Sequence, residues 1–95
     1  MNPATFKSSL AQDDPPQVEP VLQALWYAAK GDWHQAHRLV QDEESAEAAW
    51  VHAHLHRIEG DLGNAGYWYR RAGRPRSNAP IPAEWDEIVA TLIGP

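Results

Sequence analysis

The stretch Trp50-Val51-His52-Ala53-His54-Leu55-His56-Arg57-Ile58-Glu59-Gly60-Asp61-Leu62-Gly63-Asn64-Ala65-Gly66-Tyr67-Trp68-Tyr69-Arg70-Arg71-Ala72 decides the fold. Apolar residues at Val51, Leu55 and Ile58 recur at helical spacing, and Gly60 then supplies the left-handed conformation common just past a helix C-terminus. Asp61 is an N-cap for the helix that follows, where Leu62, Ala65, Tyr69 and Ala72 return at steps of three and four. A helix, a Gly-Asp corner and a second helix make a hairpin.

The same corner occurs 29 positions earlier, at Gly31-Asp32. Before it, Pro20 suits the first position of a helix, and Val21, Leu22, Ala24, Leu25, Ala28 and Ala29 form an apolar stripe. After it, Asp32 caps a helix carrying Trp33, Ala36 and Val40 on one face, with Gln35 at the reciprocal capping-box position. Ser45 is the N-cap of the third helix. Gly73 and Pro75 stop the fourth, and Trp85, Ile88, Val89, Leu92 and Ile93 give the cleanest stripe of all, closed by Gly94-Pro95. The expectation is an all-α fold with five helices near 20–30, 33–41, 46–59, 62–72 and 83–93: two antiparallel helical hairpins plus a C-terminal capping helix. Residues 1–19, with Pro15-Pro16, read as an extended N-terminal arm, and 20–95 as a single helical domain.

The corners resemble the tetratricopeptide repeat and its relatives, through Gly31-Asp32-Trp33 with Ala36 and through Gly60-Asp61-Leu62 with Ala65, Tyr67, Tyr69 and Ala72. The spacing is shorter than that family's usual repeat of about 34 residues. The stretch from His56 to Gly73 also resembles a family of small uncharacterised bacterial and fungal proteins. That second resemblance implies a shared fold over roughly residues 21 to 75, and no mechanism.

Ninety-five residues bound the answer to one domain, and five tryptophans make aromatic burial a large part of its stability. Without cysteine there is no disulfide and no thiolate chemistry. No apolar run is long enough for a signal sequence or a membrane span, so a cytoplasmic address is expected and no membrane contact. A net charge of −5 opposes phosphate backbones, and no nucleic-acid partner is expected despite the basic run Arg70, Arg71, Arg74 and Arg76. Asn64 with the aromatic and basic residues Tyr67, Trp68, Arg70 and Arg71 has the composition of a surface that stacks on a base or nucleotide, but the expectation is hairpin packing with cations at a helix end.

The sharpest chemical signal is histidine. On a helix, His52, His56 and Glu59 share one edge while His54 points elsewhere, and His37 on the preceding helix is in register to face them. Two or three imidazoles with a carboxylate are transition-metal ligands, yet no His-Glu-x-x-His string is present. The expectation is that the imidazoles are neutral and hydrogen-bonded at helix contacts, with no metal and no cofactor. The function expected is a protein–protein interaction or structural module. Its aromatic surface is expected to be covered in a homodimer with an otherwise unknown protein partner; the alternative is a metal- or small-molecule-binding protein using the His52, His56 and Glu59 edge. An enzyme belongs to that alternative alone, and no serine, cysteine or lysine nucleophile constellation is present.

Overall fold

The computed structural model describes residues 1–94; the expected stop at Pro95 lies outside them. Six α-helices and no strand are found among the described residues: α1 (Pro3–Ser8), α2 (Pro20–Ala29), α3 (Trp33–Val40), α4 (Ala46–Ile58), α5 (Leu62–Ala72) and α6 (Ile81–Ile93). None is long and apolar enough to cross a membrane.

The two Gly-Asp corners are built alike. Gly31 and Gly60 have φ of 88° and 84°. Gly31 N–H donates to Ala28 O and Asp32 N–H to Tyr27 O; at the second corner Gly60 N–H donates to Arg57 O and Asp61 N–H to His56 O. Both therefore end in the paired bonds of a Schellman motif, which only a left-handed residue permits at low cost. The aspartates then accept from Gln35 N–H at 3.2 Å and Asn64 N–H at 3.1 Å. Satisfying orphan groups at both ends of a three-residue turn locks α2 against α3 and α4 against α5. The reciprocal half of the capping box does not form, because the Gln35 side chain accepts from Arg38 instead.

Helix α4 is the centre of the molecule. It packs on α2, α3, α5 and α6, and every residue from Ala48 to His56 is buried. Ala48 and Ala53 let neighbours approach closely, and Val51 and Leu55 fill the core with Leu25, Trp26 and Tyr69. Ile58, expected in the apolar arc, is 39% exposed.

Residues 1–19 differ from the extended arm the sequence suggests. Asn2 caps α1 by accepting from Thr5 N–H at 2.8 Å, Pro3 sits in the first turn, and a 3-10 turn follows over Ser9–Ala11. Phe6 is fully buried, its ring stacked on Trp85 with centroids 5.8 Å apart. Trp26 Nε1–H donates to Ser9 O and Lys30 Nζ to Leu10 O and Gln12 O, tying the segment to α2. Six residues are too few to show a helical period; one anchoring phenylalanine supplies what periodicity does not.

Helix α6 starts at Ile81, two residues earlier than expected, since Pro82 is tolerated in a first turn. It is part of the core: Trp85, Ile88 and Val89 are buried, and Trp85 Nε1–H donates to Leu25 O at 2.7 Å. The loop before it returns along α5, where the Arg76 guanidinium lies so close to Gly66 that a Cβ there would collide with it.

Candidate functional site

Two sides of α4 carry its three buried histidines. Successive helical residues turn by about 100°, so positions 52 and 56 fall side by side and position 54 on the far side. His52 and His56 face the α3–α5 side, and His54 faces α6.

On the first side, His37 of α3 completes a cluster. Its Nε2 is 3.0 Å from His52 Nε2. One ring nitrogen from each of His37, His52 and His56 lies within 4.8 Å of the other two. Aromatic walls hold the rings in place. Trp68 stacks on His52 with centroids 3.8 Å apart and planes 11° from parallel, and Trp33 stacks on His37 at 4.8 Å and 10°. Trp33 is itself fixed by donating Nε1–H to Leu55 O at 2.7 Å. His56 Nδ1 is 2.6 Å from Glu59 Oε1, so its Nδ1–H donates to that carboxylate and its Nε2 keeps a lone pair. Glu59 is the C-cap and still has right-handed helical dihedrals, so three residues on from His56 it lies on the same helix edge.

Burial, with the neighbouring His37 and His56, pushes the His52 pKa down to about 4. His37 is also lowered, by burial first and then by His56, against a smaller opposing effect of Glu59. Both rings are neutral at pH 7. His52 Nδ1 is buried and has no hydrogen-bond partner, which costs on the order of 1–3 kcal/mol. Two neutral rings meeting Nε2 to Nε2 can share one proton, so at most one lone pair in the cluster is satisfied by its neighbour.

On the other side of α4, His54 Nδ1 donates to Glu84 Oε1 at 2.6 Å. Glu84, 1% exposed, also accepts from Arg57 Nη1 at 2.9 Å and from the Tyr69 hydroxyl. Burial alone would raise the Glu84 pKa; the hydrogen bonds from His54, Tyr69 and Arg57 outweigh it and leave the carboxyl below its usual value. This network bolts α4, α5 and α6 together. Nothing in the sequence around it points to this network, since a lone glutamate next to Trp85 carries no local sign of its three partners.

Of the residues singled out in sequence, His37, His52, His56, Glu59 and Trp68 are brought together. Asn64 is not part of the cluster: its N–H and Nδ2 are both held by the Asp61 carboxylate at the start of α5. Tyr67 is 42% exposed and accepts from Arg71 Nη1 at 2.8 Å; Arg71 also lies over the Trp68 ring, and Arg70 is exposed. Tyr67 and Trp68 meet edge to face at 90°, and Trp68 is occupied by His52, so these rings form no parallel shelf for a base. Trp33 was expected only in the helix face and also serves as a wall of the cluster.

No protein-family model, curated protein or solved structure matches the chain, so the site is read from its own chemistry.

Proposed function

We propose that the protein binds a divalent transition metal, zinc foremost, through His37, His52 and His56. The observation that carries this is the approach of one ring nitrogen from each of three histidines to within 4.8 Å of the other two. Zinc bound to imidazole at about 2.0–2.1 Å holds ligand nitrogens roughly 3.4 Å apart in a tetrahedron, so ring adjustments of about an ångström suffice. Neutral rings are the ligating form, and burial keeps His52 and His37 neutral at pH 7. Glu59 plays the part of the carboxylate that orients a ligating histidine through its other ring nitrogen. Three protein ligands leave a fourth position for water or a small ligand, the arrangement in which zinc is able to act as a Lewis acid. This favours the metal-binding alternative over the metal-free packing expected from sequence.

The test is titration of tag-free protein, stripped of metal, with zinc and cobalt. One equivalent bound, a raised melting temperature and a tetrahedral cobalt spectrum are expected, all lost in His37→Ala, which removes a half-buried ligand outside the central helix. Absence of any binding, or binding unchanged in His37→Ala and His56→Ala, would overturn the reading.

A second reading, as a helical interaction module resembling tetratricopeptide proteins, is supported by the paired hairpins and by the exposed side chains of Ile58, Leu62 and Tyr67 on α4 and α5. A homodimer would draw on such residues, since Trp85, Ile88 and Val89 of the α6 stripe are buried within the chain. A mass in solution near 10.6 kDa at high micromolar concentration would remove the dimer. The cytoplasmic setting expected from sequence belongs to the same proposal.

A further inference from the structure

A cavity of about 340 Å³ opens on the side of α4 opposite the histidine cluster. Its walls are Leu10 of the N-terminal segment, Ala28 and Ala29 of α2, Ile81 and Trp85 of α6, and His54 of α4. The lining is chiefly apolar, and the charged pair at its edge, Lys7 Nζ to Asp86 at 3.2 Å, is mutually neutralised. His54 is the exception. It is 0% exposed, and its Nε2 has no hydrogen-bond partner.

The state of that nitrogen follows from the other side of the ring. Glu84 also accepts from the Arg57 guanidinium, is held in its charged form, and accepts the hydrogen bond that His54 Nδ1–H donates. The tautomer that donates from Nδ1 carries a lone pair on Nε2, which makes that nitrogen an acceptor. A buried acceptor left empty is costly, and the His54 ring that carries it is part of the wall of a space large enough for a small molecule. The complement is a group that donates one hydrogen bond and brings no charge, since apolar walls penalise an ammonium ion.

We propose that this cavity is a binding site for a compact neutral alcohol or phenol, its hydrocarbon body against Trp85, Leu10 and Ile81 and its hydroxyl donating to His54 Nε2. The site is separate from the metal reading and does not rest on it. Glu84 is a positioning residue, fixing the tautomer that makes His54 an acceptor. Its chain of bonds to Arg57 and Tyr69 holds the ring rigid at no cost to the ligand.

The experiment uses metal-free full-length protein with nitrogen-15 histidine, titrated with phenol and separately with toluene, which has nearly the same shape but no hydroxyl. Phenol should move the His54 Nε2 resonance saturably upfield, in the direction of an accepted hydrogen bond, with exposed His34 unmoved. Toluene should bind about fivefold or more weakly, the loss of one hydrogen bond. Ala29→Trp fills the cavity from an exposed position on α2 without touching the Glu84 network, and should abolish the phenol shift while the far-ultraviolet dichroism is retained. The proposal is overturned if His54 shows no saturable shift up to about 20 mM phenol. It is equally overturned if toluene matches phenol or if Ala29→Trp binds as the parent does.

Discussion

His54 Nδ1 lies 2.6 Å from Glu84 Oε1, and neither side chain is more than 1% exposed. Together with Arg57 and Tyr69 this makes a buried, fully partnered carboxylate at the meeting of three helices. Glu84→Ala leaves His54 Nδ1 and the Tyr69 hydroxyl buried without partners and removes the Arg57 counter-charge, and is expected to cost about 3–5 kcal/mol in urea denaturation. Tyr69→Phe, which removes one hydrogen bond to the charged group, should cost about 1.5–3 kcal/mol. A Glu84→Ala loss below about 1 kcal/mol would show that the network does not hold the helices together.

Stability should fall on the acid side through the histidine cluster. His52 titrates near 6.5 when unfolded and at about 4 when folded. Between those values the unfolded chain binds more protons, so unfolding becomes easier as pH drops through that window, by up to about 3 kcal/mol from this group. His37 acts in the same direction. Melting curves from pH 7 to pH 4 with chelator present should show a steep decline that His52→Gln flattens. Equal slopes in parent and variant would refute the assignment.

The corner at Gly60 has φ of 84° and open space where a Cβ would point. The penalty for a side chain is therefore backbone strain alone. Gly60→Ala should cost about 1–2 kcal/mol and Gly60→Val more, since β-branching aggravates the left-handed clash. A neutral Gly60→Val in thermal melts would mean that the corner relaxes to another turn.

Phe6 is the anchor of the N-terminal segment. Phe6→Ala leaves a cavity against Trp85 and should lower stability by about 3–5 kcal/mol. Hydrogen exchange should show residues 3–11 losing protection far more than α4 and α5. Uniform loss across all helices would instead make α1 part of one cooperative unit with the core.

What sequence alone determined was local and periodic. Helices α2 to α6 follow from apolar residues at steps of three and four, and the two corners from glycines that can adopt positive φ followed by aspartates that cap. Those are interactions within a few residues, written in the order of the chain. The pairing of His52 with His56 and the opposite aim of His54 were legible for the same reason: they depend only on the turn of one helix. That His37 faces them was foreseen from its register, but the 3.0 Å approach of its Nε2 to His52 depends on how α3 docks on α4. Only the tertiary structure decided that Glu84 reaches His54, 30 residues away, that Phe6 turns a supposed arm into a packed helix, and that the α6 stripe is interior. Such contacts are fixed by which faces remain uncovered after the hairpins form, a condition set by the whole packed chain and carried by no single segment.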